Sequence, residues 1–229
     1  MVDATPTNTI GSGRELVFMT HGIASTRWLL TPLAWRLRQE GFTTRLYGYP
    51  SIWWSNRSHG KKLAKVLRRV APEYDRVHLV VHSMGSIVTR CALEEQLPEN
   101  LGRVVMIAPP NRGSHRATTL AWSHGWVVPT LLEIQDTHDS FVNRELGPLP
   151  EHADVGVLAA SHDDVLYPEQ THVDGQSDHY TVTGWHTGVL WKRETARRTA
   201  HFLREGRFAD ADQADTVQAN NAQAATAEA

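Results

Sequence analysis

The sequence predicts an α/β protein: about six parallel strands in one sheet, helices on both faces, and a small cap or none. Three observations carry this. Short apolar runs alternate with longer segments of helical period along most of the chain. Several of the runs are near-continuous in Val, Leu and Ile, as strands covered on both faces require. The stretch Arg76–Arg90 changes from one pattern to the other at a single residue. Val77, Leu79, Val80 and Val81 form a strand, and beyond Ser83 the residues Ile87, Val88 and Cys91 mark one side of a helix.

The elements follow in order. Glu15 to Thr20 is a short strand that runs into His21-Gly22-Ile23. A helix then has Thr31 as N-cap, Pro32 at its first position and Gly41 as its stop. Thr43 to Tyr49 is a strand closed by Pro50. The helix from Asn56 to Ala71 carries Leu63, Val66, Leu67 and Val70 on one stripe and ends at Pro72. The helix after Ser83 is expected to end near Pro98. Arg103 to Ala108, Asp154 to Ala160 and His179 to Thr183 complete the strands, and a final helix over 192–205 presents Ala196, Thr199, Ala200 and Leu203 inward.

Residues 111–153 join two strands with more chain than one helix needs, which suits either a partial cap or an extra helix packed on the sheet. The polar lead 1–13 reads as flexible. The tail 209–229, rich in Ala, Gln, Asn and Asp, reads as disordered, leaving one domain over 14–208.

Composition narrows the function. A net charge of -2 gives no reason to expect nucleic acid or a membrane surface as a partner. The single cysteine, Cys91, excludes an intramolecular disulfide and a thiolate metal cluster, and its place on the apolar side of a helix suits a small core residue. The N-terminus lacks the basic-then-apolar pattern of a signal peptide, and no apolar run reaches spanning length. The expectation is a cytoplasmic protein without stable membrane insertion.

The chemistry converges on one sheet edge. A serine at a strand-to-helix corner lifts its hydroxyl out of the sheet and places it before the N–H groups of the helix start. A serine attacks only when a base takes its proton, and the base needs a partner to fix its tautomer. In open-sheet enzymes of this kind the chain order is serine, acid, histidine. Here Ser83 is followed by Ser161-His162-Asp163-Asp164-Val165-Leu166-Tyr167-Pro168 after one strand, and by Trp185-His186-Thr187-Gly188 after the last. Trp28, Trp53, Trp54, Trp122, Trp126 and Trp185 are candidates for an apolar pocket or for the core, and Trp185 adjoins His186.

These residues carry a resemblance. His21-Gly22-Ile23, His82-Ser83-Met84-Gly85, Pro110-Asn111-Arg112, Asp163-Asp164-Val165-Leu166 and His186-Thr187-Gly188-Val189-Leu190 resemble the motifs of the α/β-hydrolases, and within them those of small bacterial lipases and esterases with little or no lid. The likeness spans roughly Glu15 to Phe208. The family's first elbow glycine is replaced here by Val81.

The resemblance implies the fold and a carboxylic ester hydrolase with Ser83 as nucleophile, Asp163 as acid and His186 as base. It also implies backbone oxyanion donors at Ile23 and Met84, a substrate-binding role for Asn111 and Trp185, and no metal or organic cofactor. His21 would hold its loop rather than transfer protons. A frame one residue on, Asp164-Val165-Leu166-Tyr167-Pro168, also fits an acid position. With no amphipathic lid evident, activity is expected on dissolved small-molecule esters. A thioesterase, an acyltransferase or a non-catalytic interaction protein would share much of this pattern.

Overall fold

A computed structural model describes residues 14–208; the expected lead 1–13 and tail 209–229 lie outside the described residues. Six strands form one parallel sheet: β1 (Glu15–Thr20), β2 (Thr43–Tyr47), β3 (Arg76–His82), β4 (Leu101–Ile107), β5 (Val155–Ala160) and β6 (Asp178–Val182). Their spatial order is β2-β1-β3-β4-β5-β6. The helices are α1 (Thr31–Gln39), α2 (Asn56–Val70), α3 (Met84–Leu93), α4 (His115–His124), α5 (Thr130–Glu133), α6 (Phe141–Arg144) and α7 (Arg193–Glu205).

The period-2 alternation of each strand sends side chains into two cores. Leu16 and Phe18 of β1, Leu79 and Val81 of β3, and Val104 and Met106 of β4 face Leu63 and Leu67 of α2 and Ile87, Val88 and Cys91 of α3. Val17, Met19, Val80, Val105 and Ile107 face Leu33 and Leu37 of α1 and Ala196, Ala200 and Phe202 of α7. Both faces are therefore covered, which explains why the strands read as apolar runs rather than as alternating ones.

Some boundaries differ from expectation, each for a local reason. A 3-10 turn over Arg27–Leu30 runs straight into α1, so Thr31 is already helical and Leu30 takes the cap position. β2 stops at Tyr47, its last residue paired with β1, because Tyr49 leaves the sheet to bond His21. Helix α3 ends at Leu93, five residues short of Pro98, where the chain turns to enter β4 at Leu101.

The strand order also says where a site belongs. From β1 the chain passes outward to β2, and then returns to β3 on the other side of β1 before continuing to β4, β5 and β6. The carboxyl ends of β1 and β3 are thus the point where the winding reverses, and the connections leave a crevice there.

Candidate active site

Ser83 occupies the corner between β3 and α3, with φ 53 and ψ -130. That backbone is one a non-glycine residue holds only at a cost of about 1–3 kcal/mol, against the pull of the surrounding packing. The neighbours leave no room for relaxation. A Cβ on Gly85 would lie 2.7 Å from the His21 carbonyl oxygen, and one on Gly22 would lie 2.8 Å from Ser83 Cβ. The Ser83 N–H is fixed to the Ile107 carbonyl at 2.9 Å. Val81, where the resemblance has a small residue, is fully buried in the core beside Met84 and Ile87, and the corner forms with it in place.

Three side chains meet at this corner. His186 Nε2 lies 3.0 Å from Ser83 Oγ, and His186 Nδ1 lies 2.7 Å from Asp163 Oδ2. The second oxygen of Asp163 accepts the N–H groups of Val165 and Leu166 at 2.8 and 3.0 Å. The Asp163 side chain is 2% exposed. An ionised carboxylate only accepts, so Nδ1 of His186 carries the proton and Nε2 keeps its lone pair for the serine O–H. Asp164, the rival acid, is exposed and lines the cleft in front of Ser83 instead.

His82 is a contributor that the sequence left without a role. Its Nε2–H donates to the His186 backbone carbonyl at 3.2 Å, and the two rings lie 5.0 Å apart. Burial first, and then the neighbouring His186, push its pKa down to about 3, so it stays neutral. It braces the loop that carries His186.

His21 is buried and does not reach Ser83 by any hydrogen bond among the described residues. Its Nδ1–H donates to the Gly22 carbonyl at 2.8 Å, its Nε2 accepts the Tyr49 N–H at 3.4 Å, and its ring stacks on Tyr49 at 4.7 Å. Burial lowers its pKa. The turn it holds carries Ile23, which lines the cleft with Ser83. Among the described residues neither the Ile23 N–H nor the Met84 N–H has a protein acceptor, and Met84 opens α3, where the helix dipole is positive.

The cleft in front of Ser83 has a volume of about 280 Å³ and is walled by Ile23, Ala117, Leu120, Leu131, Ile134 and Leu166, among others. A second apolar cavity of about 260 Å³ adjoins it, sharing Ile23, Leu120 and Leu131 and adding Ile52 and Val128. Residues 111–153 therefore build one wall of the cleft. The signal for these residues lay in the apolar spacing of 117, 120 and 121, and of 131 and 134.

The two residues expected to bind substrate are placed elsewhere. Asn111 is buried, its amide donating to the Thr171 carbonyl at 2.8 Å, and it lines a separate cavity with Arg90 and His172. Trp185 is 64% exposed and is not part of the cleft wall. The other five candidate tryptophans are also exposed, so none is core and none lines the cleft.

No protein-family model matches the sequence. No curated protein matches it either. Solved structures do resemble it in shape. A Bacillus licheniformis lipase in its mature form superposes with a TM-score of 0.65 at 14% identity, over 88% of this chain and 96% of that one. Aspergillus fumigatus lipase B gives 0.68 at 14% identity, over 89% of this chain and 56% of its own. A Pyrococcus furiosus esterase gives 0.53 at 18% identity, over 84% and 83%. At such identities the likeness is one of fold, and the chain has the fold of the α/β-hydrolases.

Proposed function

We propose that this chain is a serine hydrolase that cleaves carboxylic esters through an acyl-enzyme. The observation that carries the reading is the continuous chain of hydrogen bonds from Ser83 Oγ through His186 to Asp163. In this reading Ser83 Oγ attacks the ester carbonyl while His186 Nε2 takes its proton. Charge then develops on the carbonyl oxygen, to which the Ile23 and Met84 N–H groups donate as preorganised partners. His186 passes the proton to the leaving alcohol, and a water activated by the same imidazole releases the acid. Asp163 fixes the tautomer and stabilises the imidazolium while it exists.

The apolar wall of the cleft suits an acyl chain rather than a charged substrate. The test is turnover of dissolved p-nitrophenyl butyrate. The wild-type chain is expected to hydrolyse it without any lipid surface, and Ser83→Ala to lose roughly 10⁴-fold or more while keeping its fold. Near-normal turnover by that folded variant would remove Ser83 from the mechanism.

A further inference from the structure

All eight tryptophans of the chain are at least half exposed, Trp122 at 93% and Trp126 at 86%. Tryptophan is ordinarily among the more buried side chains on average, so eight exposures call for a common cause. Seven of the eight fall in four segments, 21–30, 48–62, 108–132 and 183–193. Each segment follows the carboxyl end of a strand, on the edge that carries Ser83.

The same four segments hold eight Lys and Arg residues and no Asp or Glu, in a chain whose net charge is -2. Acids border these segments: Asp163, Asp164 and Glu169 lie in the loop 161–170, Glu133 accepts from Asn56, Asp136 accepts from Gln170, and Arg57 and Arg112 are paired with Glu94, Glu145 and Asp174. The tryptophans and bases are also in contact. Lys62 Nζ sits 4.4 Å over the ring of Trp54, and the Arg27 guanidinium 4.8 Å over Trp28.

Three of the segments are joined in space. Ala24, Ile52, His124 and Val128 line one apolar cavity, which brings together the loops bearing Trp28, Trp53 and Trp54 with the segment bearing Trp122 and Trp126. Trp54 is held outward at φ 63, a strained backbone for a bulky residue. Backbone strain, exposed indoles and the bases Arg27 and Lys62 beside them thus coincide on one face.

We infer that this face docks on an anionic phospholipid bilayer. Indole rings are amphipathic and settle at the headgroup level of a membrane. Basic side chains such as Arg27 and Lys62, which stand over indole rings, are drawn to the negative surface potential of such a leaflet. A soluble partner with an apolar groove would cover the rings but would give no use to Arg27 and Lys62 beside them. Among the described residues no helix is long and apolar enough to cross a membrane, and docking of this kind needs none. The inference does not rest on the ester reading.

The test is co-sedimentation of the full chain with vesicles of phosphatidylcholine alone, or of phosphatidylcholine with roughly 30% phosphatidylglycerol. The anionic vesicles are expected to bind the protein and shift its tryptophan emission to the blue, and salt is expected to reverse both. The double variant Trp122→Ser/Trp126→Ser should bind roughly tenfold or more weakly, the scale of losing buried apolar side chains. Lys62→Gln should bind about fivefold more weakly, as for one surface charge. The double variant should still hydrolyse dissolved ester, and Ser83→Ala should bind vesicles like wild type. Equal binding to both vesicle types, or undiminished binding by the double variant, would overturn the assignment. So would concentration-dependent dimerisation that the double variant loses in the absence of vesicle binding, which would give the face to a second copy.

Discussion

His21 and His186 stand on the same sheet edge, both buried, each at the end of a strand or just past it, yet only one lies between a serine hydroxyl and a carboxylate. The difference lies in partners. His21 spends both ring nitrogens on backbone groups, the Gly22 carbonyl and the Tyr49 N–H, and its ring lies flat against Tyr49. His186 has a carboxylate on one nitrogen and a hydroxyl on the other. A protonated His21 would lose the bond from Tyr49 and gain no anion. A protonated His186 would face Asp163 at 2.7 Å. In the proposed reading the same side chain is a rivet in one place and a proton carrier in the other, and burial alone does not tell them apart.

That contrast can be broken at the carboxylate, where the largest effect is expected. Asp163→Asn leaves the imidazole in the wrong tautomer, and turnover should fall about 10⁴-fold with the fold retained. Asp164→Asn removes only an exposed group at the cleft, and turnover should stay within a few-fold. Steady-state kinetics of the two purified variants decides, and the reverse order would move the acid one residue along.

A smaller effect is expected at the rivet. His21→Gln keeps a polar group but loses the stack on Tyr49, so it should cost about 1–3 kcal/mol of stability. Turnover should fall far less than in Asp163→Asn. Urea denaturation beside an activity assay separates the two; a loss of turnover matching that of Asp163→Asn, without loss of stability, would make His21 a participant in the chemistry.

Acid should sharpen the same distinction through other buried histidines. His78 is pushed down to about 4, first by burial and then by Arg76 and Arg103, and His82 to about 3. Their folded values lie below the ordinary 6.5, so the unfolded chain binds protons that the folded one refuses. Their contribution is complete above about pH 6.5 and is lost as pH falls toward 4 and 3, at up to about 1.4 kcal/mol per pH unit for each. The urea midpoint should drop between pH 7 and pH 5, and His82→Asn should flatten part of that slope. A midpoint independent of pH over this range would contradict it.

The sheet was legible because its signals are local and redundant. β1 runs from Glu15 to Thr20 as read from the sequence, and β3 turns into α3 at Ser83 as the change of period requires. The preference for Asp163 came from a motif frame, and in the structure it is Asp163 that lies against His186. What failed to show was whatever depends on three-dimensional neighbours. Nothing in the residue types separates a tryptophan in a core from one at a surface, and all six candidates point outward. Asn111 follows a strand like the other edge residues, but its amide is turned to Thr171 and away from the cleft. His82 was visible only as part of a motif, since its role is a bond to a carbonyl 104 positions away.

Whether Ser83 is an activated nucleophile is read directly by a fluorophosphonate probe. Incubation of the full chain with the probe, followed by mass spectrometry of its peptides, should find one covalent phosphonyl adduct on Ser83. The adduct should be absent from Ser83→Ala and slowed by orders of magnitude in His186→Gln. An unmodified Ser83 in folded wild-type protein, or an adduct on another serine that persists in Ser83→Ala, would contradict it.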